Sequence, residues 1–121
     1  MRPVIEPDDI LDAAQLDELR QTYGDLVGGF IRLFVAETRA RLERIGRLIE
    51  DSDRLALWRE AHTLAGSAAL FACDRLNRRA ADLEDAALRN DRAAFAPTAA
   101  AAAEAFRRTE AELAACFSLS G

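Results

Sequence analysis

Residues 54–71 read RLALWREAHTLAGSAALF and contain the only histidine of the chain, His62. Apolar side chains recur in this stretch at spacings of three and four, the repeat of one α-helical face: Leu57, Ala61, Leu64, Ala68 and Phe71. If that face points into a core, a second face carries Trp58, Arg59, His62, Ala65 and Ala69. A glycine inside the helix, Gly66, costs about 1 kcal/mol relative to alanine, so its presence requires a reason other than helix stability.

Two further helices are predicted before this stretch. A short first helix is capped by Asp8 or Asp9 and ends at Gly24, with an apolar stripe made of Leu11, Leu16, Leu19 and Tyr23. A long second helix starts near Asp25, and its inward face is predicted to hold Leu26, Phe30, Leu33, Phe34, Ile45, Leu48 and Ile49. A polar break follows, where Ser52 or Asp53 can cap the next helix.

Two more helices are predicted after it. Asp74 caps the fourth, with Leu76, Ala80, Leu83 and Ala87 inward and Arg78, Arg79, Asp82 and Asp85 outward. The fifth follows a break at residues 90–91, and its apolar repeat is Phe95, Ala99, Ala102, Phe106, Thr109, Leu113 and Phe117. Pro97 either lies in its first turn or kinks it slightly.

One short helix and four longer ones, joined by short polar turns, predict the fold class. Short connections make neighbouring helices antiparallel, so the expected architecture is all-α: an up-down four-helix bundle with a short N-terminal accessory helix. A length of 121 residues fits one domain over residues 1–121, with a lead-in at 1–7 and a tail at 118–121.

Charge and composition argue against several classes of protein. The formal net charge is −5, and the 16 basic residues, all arginine, form no long basic run, so nucleic-acid binding is not expected. No secretory signal and no apolar run of ~20 residues is present, so a cytoplasmic protein without membrane contact is expected. Cys73 and Cys116 form no CxxC motif and are interpreted as reduced thiols.

Most catalytic and metal sites require residues that the chain lacks. A di-iron bundle needs Glu-x-x-His pairs on two helices, and a structural zinc site needs about four cysteine or histidine ligands. One histidine and two separated cysteines supply neither, so no metal site is predicted. No G-x-x-x-x-G-K loop is present to hold nucleotide phosphates, so hydrolysis of ATP or GTP by this chain is not expected.

His62 is the remaining candidate for chemistry. A neutral imidazole is abundant near neutral pH, and its free ring nitrogen is a competent nucleophile towards phosphorus. Gly66 lies one turn later on the same face and leaves space beside the ring for a phosphoryl group or a partner. Ser67 can donate a hydrogen bond nearby. On the residues alone, an ordinary surface histidine remains the alternative.

The residues around His62 resemble those of the histidine-containing phosphotransfer (HPt) domain of two-component phosphorelays. That family's pattern is roughly A-H-x-L-K-G-S-[SA]-x-x-[LF]-G-A-x-x-L, followed by an L-E pair in the next helix. Here the corresponding residues are Ala61-His62-Thr63-Leu64-Ala65-Gly66-Ser67-Ala68-Ala69-Leu70, then Asp74-Arg75-Leu76 and Leu83-Glu84. The likeness extends from about residue 8 to residue 117.

The resemblance implies a function and a set of partners. A receiver-domain phospho-aspartate gives its phosphoryl group to His62, which passes the group to another receiver aspartate. The implied partners are response-regulator receiver domains, a hybrid histidine kinase, or both, and the chain is expected to be a monomer. It would be a stoichiometric phosphoryl carrier without a cofactor of its own, because the receiver supplies the Mg²⁺ that phosphoryl transfer requires.

Two positions depart from the family pattern, and the helical wheel suggests a docking surface. The family lysine three residues after the histidine is Ala65, and the family glycine after residue 71 is Ala72. Arg59 is the candidate substitute for the lysine's charge, with a solvated surface arginine as the alternative.

The residues expected to contact a receiver are Trp58, Ala65, Ala69, Arg78 and Arg79. Packing in the core is the other interpretation of Trp58.

Two other functions stay open at this point. One is an HPt-like adaptor that binds a receiver or kinase without being phosphorylated, an interpretation favoured by the missing lysine. The other is an unrelated structural bundle in which His62 has no role.

Overall fold

The computed structural model describes residues 8–117, and every regular element within that range is helical. The elements are α1 (Ala13–Tyr23), α2 (Val27–Glu50), α3 (Arg54–Leu70), α4 (Asp74–Leu88) and α5 (Arg92–Phe117), with a 3₁₀ turn at Gly24–Leu26 between α1 and α2. The predicted lead-in at 1–7 and tail at 118–121 lie outside the described residues.

The four long helices form a closed ring around one core. α2 packs on α3, α3 on α4, α4 on α5, and α5 returns to α2, while α1 packs against the start of α2. Each of the last three connections is only three residues long, which makes consecutive helices antiparallel. The predicted four-helix bundle with a short accessory helix is therefore confirmed.

The inward faces predicted for α3 and α4 form the middle of that core. Leu57, Ala61, Leu64 and Ala68 of α3 are buried, as are Leu76, Ala80, Leu83 and Ala87 of α4. α5 contributes Phe95, Ala102, Phe106, Thr109 and Leu113. Small alanine side chains on three facing helices let α3, α4 and α5 approach closely, and this is why the histidine-bearing helix packs most extensively on α4.

The inward face predicted for the start of α2 is wrong. Leu26, Phe30 and Leu33 are exposed, with 64%, 40% and 59% of their surface accessible. The buried positions are instead Val27, Ile31, Phe34, Val35, Thr38 and Ile45. Two adjacent apolar stripes run along this half of the helix, so periodicity alone could not select between them, and the one left outside forms an exposed apolar surface.

Two helix starts also differ from the prediction. The cap of α1 is Asp12, whose Oδ1 accepts a 3.2 Å hydrogen bond from the backbone N–H of Gln15. Asp8 instead forms an ion pair with Arg79 at 2.8 Å. α4 begins at Asp74 itself, so this carboxylate lies in the first turn and does not cap it. Burial and the neighbouring carboxylate of Asp12 raise the pKa of Asp74.

Three helices end on a residue in the left-handed region that is not glycine. Ser52, Ala72 and Asn90 have φ values of 54°, 64° and 55° and follow α2, α3 and α4. After each, the next backbone N–H reaches back to a carbonyl in the last turn, as in a Schellman motif; Cys73 donates to Ala68 at 2.8 Å. The turn expected of the family glycine therefore forms with Ala72.

The remaining features concern the other helix ends, Pro97 and the two cysteines. Asp53 caps α3 by accepting a 3.2 Å hydrogen bond from the backbone N–H of Ala56, and Gly24 ends α1 with a φ of 54°. Pro97 lies inside α5, beyond its first turn. Cys73 and Cys116 are free thiols, and burial raises the pKa of Cys73 to about 12. Among the described helices, none has the length and apolar character needed to span a membrane.

Candidate functional site

His62 lies in the middle of α3, and that helix is fastened to each of its neighbours. The side-chain amide of Asn77 in α4 donates a 2.8 Å hydrogen bond to the Ala65 carbonyl. Gln15 of α1 donates a 2.7 Å hydrogen bond to the Ala69 carbonyl, and the Asp12 N–H donates one of 2.8 Å to the carbonyl of Ala72. The backbone around the imidazole is thus held from two sides.

A third attachment joins α3 to α2 through Glu60. Its carboxylate accepts hydrogen bonds from the guanidinium groups of Arg41 and Arg44, the latter at 2.9 Å. Burial raises the pKa of Glu60, but the hydrogen bonds and charges of Arg44 and Arg41 outweigh it, and the net pKa is lowered. An ionised Glu60 between two arginines therefore fixes the distance between α2 and α3, two residues before His62.

The imidazole of His62 is exposed at one nitrogen and engaged at the other. Its side chain is 62% exposed, and Nδ1 lies 2.8 Å from Oε2 of Glu84 on α4. An ionised carboxylate only accepts hydrogen bonds, so Nδ1 carries the proton in this arrangement. In the neutral ring, the lone pair is then on Nε2, which has no hydrogen-bond partner among residues 8–117.

One face of the imidazole is covered by an indole. The rings of Trp58 and His62 are stacked, with centroids 5.2 Å apart and planes inclined by 16°. Trp58 is itself half-buried and packs against the core. The ring therefore contacts the core, as one of the two interpretations of Trp58 predicted, and also the histidine, which neither predicted; docking by Trp58 stays a prediction.

The three residues expected to support His62 differ in their surroundings. Gly66 is exposed, and a Cβ placed there would meet nothing within 4 Å, so internal packing does not require glycine. Arg59 is exposed, and no ion pair or hydrogen bond engages its guanidinium in the part of the chain that the structure describes. Ser67 faces α2, where it lines a groove with Phe34 and Leu70, and it does not bond the imidazole.

The predicted docking residues are only partly at the surface. Ala65 is 8% exposed and belongs to the core, which corrects the expectation that its side chain lies outside. The reason is that α4 packs on this side of α3, where Asn77 holds the Ala65 carbonyl. Ala69 and Arg78 are exposed, whereas Arg79 is paired with Asp8 and is not a free cation.

The sequence did not predict the contact of Glu84 with His62 or the exposed apolar residues that lie near the two ends of α3. Glu84 was noted only as part of a family pair, because nothing in a helical wheel shows that it reaches across to His62. Leu55 and Leu88 are 56% and 66% exposed, and with Trp58, Arg54 and Ala87 they line a groove of about 210 Å³. A second exposed apolar surface, formed by Phe30, Leu33 and Leu70, lies towards the other end of α3.

The site holds a nucleophile and its orienting groups without a cluster of metal ligands. Within residues 8–117, no group of three or more histidine, cysteine, aspartate or glutamate side chains is placed to hold a metal ion. What the arrangement can do chemically is present the Nε2 lone pair of the neutral ring to an incoming electrophile.

Comparison with known proteins identifies a family. The family model described as "Hpt domain" matches residues 29–117, which include all of α3, α4 and α5 and most of α2. No curated protein and no solved structure matches the chain.

Proposed function

Since the chain belongs to the Hpt domain family, whose members are phosphocarriers of two-component phosphorelays, we propose that it relays a phosphoryl group through Nε2 of His62. The observation that carries the proposal is the 2.8 Å contact between Nδ1 of His62 and Glu84 in an otherwise exposed ring. In the neutral ring this contact leaves Nε2 unprotonated, on a side chain that is 62% exposed.

The proposed step transfers the group from a receiver-domain aspartyl phosphate. The lone pair of Nε2 forms the N–P bond while the P–O bond to the aspartate breaks, and the electron pair of that bond leaves with the carboxylate. The Nδ1 proton stays on the ring, so the phosphorylated imidazole carries a positive charge that the Glu84 carboxylate balances. The reverse step delivers the group to a second receiver.

Arg59 is proposed to supply the charge that the family lysine would provide. It stands three residues before His62 on the exposed side of α3, and its guanidinium has no partner within residues 8–117. Helical residues three apart are neighbours, so the guanidinium can reach a phosphoryl group on Nε2. Residue 65 cannot supply this charge, because it is a buried alanine.

The partner is proposed to be a receiver domain that docks across the exposed face of α3. Ala69 and the exposed side chains of Leu55 and Leu70 lie on both sides of His62 along the helix. Apolar surface of this kind is typical of protein-binding sites. The packing of this bundle does not require a glycine at residue 66. We propose that Gly66 instead leaves the space through which the receiver's acidic pocket reaches the imidazole.

The carrier role requires no nucleotide site in this chain and no metal of its own. The receiver brings the Mg²⁺ that neutralises the transferring group. One monomer would carry one phosphoryl group. With receiver domains as partners, the proposed reaction takes place in the cytoplasm.

The test is phosphoryl transfer from receiver domains of the same organism, each phosphorylated beforehand with acetyl phosphate. We expect acid-labile, alkali-stable label on the wild-type chain and none on His62→Gln. Binding of a receiver by both proteins without label on either would instead indicate the adaptor. Neither binding nor label with any receiver would leave only the structural bundle.

A further inference from the structure

We propose that Trp58 is a positioning residue for the phosphoryl-accepting imidazole, holding the plane of the ring while Glu84 holds its rotation within that plane. This inference rests on the proposed function and adds a role that the docking interpretation of Trp58 does not contain. Its basis is the stacked geometry, with ring centroids at 5.2 Å and an interplanar angle of 16°.

The two contacts restrain different motions of the same side chain. A hydrogen bond to Nδ1 lies in the plane of the imidazole and leaves the ring free to tilt about the Nδ1–Oε2 direction. A flat ring stacked on one face opposes that tilt. Together they leave the side chain one orientation, although 62% of it is exposed to solvent. Transfer requires this, because small displacements of a nucleophile from the line of attack reduce the rate strongly.

The indole is a firm support because its own surroundings fix it. It is half-buried and packs against the core, and it lines one groove together with Leu55 on α3 and Ala87 on α4. The C-terminal end of α4 is fastened there by Arg54, whose guanidinium donates a 3.2 Å hydrogen bond to the Leu88 carbonyl. A mobile surface tryptophan would not orient its neighbour, whereas one packed against the core does.

The stack also favours the product of the step. When the N–P bond forms at Nε2 and the proton remains on Nδ1, the imidazole ring becomes cationic. The face of an indole attracts cations more strongly than any other aromatic face in proteins. Trp58 therefore contacts the charged ring from one face while Glu84 contacts its edge, and both stabilise phospho-His62 relative to the free imidazole.

The experiment uses phosphoramidate, a small P–N phosphodonor that needs no docking surface. Nε2 displaces ammonia from it, forming one N–P bond as another breaks. We expect Trp58→Leu, which keeps apolar bulk but removes the ring, to slow labelling of His62 about two- to tenfold, the range that an aromatic pair contributes. Trp58→Phe should label at nearly the wild-type rate, as should the control Leu26→Ala, which removes an exposed apolar side chain next to the start of α2.

Two further measurements make the outcome decisive. In the unphosphorylated wild type, the ring protons of His62 should show an upfield ring-current shift in NMR spectra, retained in Trp58→Phe and lost in Trp58→Leu. Absence of that shift in the wild type would overturn the proposal without any variant. So would Trp58→Leu labelling normally with phosphoramidate while requiring more phosphorylated receiver for half-maximal transfer, because Trp58 would then be a docking contact. Failure of all receivers to label His62 would count against the proposed function alone.

Discussion

The side-chain amide of Asn77 in α4 is hydrogen-bonded, at 2.8 Å, to the backbone carbonyl of Ala65 in α3, three residues after His62. The family pattern has a lysine at this position, and here the residue is a buried alanine whose carbonyl is bound to the neighbouring helix. The bond joins α3 and α4 within one turn of the imidazole, so the same contact that closes the bundle also sets the spacing between His62 and Glu84.

Removing the Asn77 amide should weaken the bundle and displace Glu84. We expect Asn77→Ala to lower the free energy of unfolding by about 1 kcal/mol, the usual contribution of a partly buried hydrogen bond. Urea unfolding followed by circular dichroism measures this. Arg78→Ala, the exposed neighbour, should change stability by less than about 0.5 kcal/mol. Equal losses in both variants would contradict the role given to the amide.

The ends of α2 and α3 give a prediction about glycine. Ser52 is exposed and has a φ of 54°, so Ser52→Gly should raise the free energy of unfolding by about 0.5–1 kcal/mol through relief of left-handed strain. Ala72 has a similar φ of 64°, but its methyl group is fully buried. Burial of one methyl contributes about 0.8 kcal/mol, so Ala72→Gly should be close to neutral. Thermal unfolding of the two variants tests the difference, and a stabilised Ala72→Gly would show that the methyl contributes little.

Much of the helical architecture could be predicted from the spacing of apolar residues, but the exact boundary of each buried face could not. The number of helices, the bundle and the inward faces of α3, α4 and α5 follow from spacing, because single apolar stripes leave one choice of buried face. The start of α2 was mispredicted because Leu26 and Val27 begin two adjacent apolar stripes. Ala65 was mispredicted because the boundary between a buried and an exposed face depends on how closely α4 approaches.

The contacts of the candidate site could not be predicted from the sequence, although the residues proposed for its centre could be named from it. His62 and Gly66 were identified from composition and a family pattern. The Glu84 contact and the Trp58 stack depend on the rotation of α4 relative to α3 and on side-chain rotamers, which sequence periodicity does not contain.

Glu60 makes the stability of the protein depend on pH in a defined direction. The pKa of its carboxyl is lowered in the folded state, so the stability it contributes is complete above the unfolded pKa and is lost as pH falls through the folded pKa. We expect the wild type to lose more stability than Glu60→Gln on acidification below about pH 4.3. At pH 7 the variant should be about 1 kcal/mol less stable. Parallel curves of unfolding free energy against pH would refute the assignment.

Gly66 should separate stability from function. A Cβ there meets nothing within 4 Å, so Gly66→Ala should raise the free energy of unfolding by about 1 kcal/mol through helix propensity. Transfer from a phosphorylated receiver should nevertheless slow, and slow further in Gly66→Leu, because the added side chain occupies the space beside His62. Labelling by phosphoramidate should be little affected by the alanine. If both variants accept phosphate from the receiver at the wild-type rate, the glycine does not serve docking.

Substitution of Arg59 should change the rate at which His62 is labelled by any phosphodonor, because the proposed partner of Arg59 is the phosphoryl group on His62. We expect Arg59→Ala to slow labelling by receiver and by phosphoramidate by about 1.4- to fivefold, because exposed charge pairs contribute about 0.2–1 kcal/mol. Arg59→Lys should restore most of the rate. Arg108→Ala, at an exposed position on α5, serves as the control of equal charge change, and identical rates in all of these proteins would exclude the charge role.

The bonds from Gln15 and Asp12 to the C-terminal end of α3 have a consequence for signalling. They come from α1 and its cap, which precede residues 29–117 that match the family, and they add to the attachments made by Glu60 and Asn77. A helix gripped along its whole length has little freedom to shift when its histidine is modified. We therefore expect the backbone conformation to be the same before and after phosphorylation. The signal would then pass to a downstream protein by transfer of the phosphoryl group and not by a conformational change in this chain.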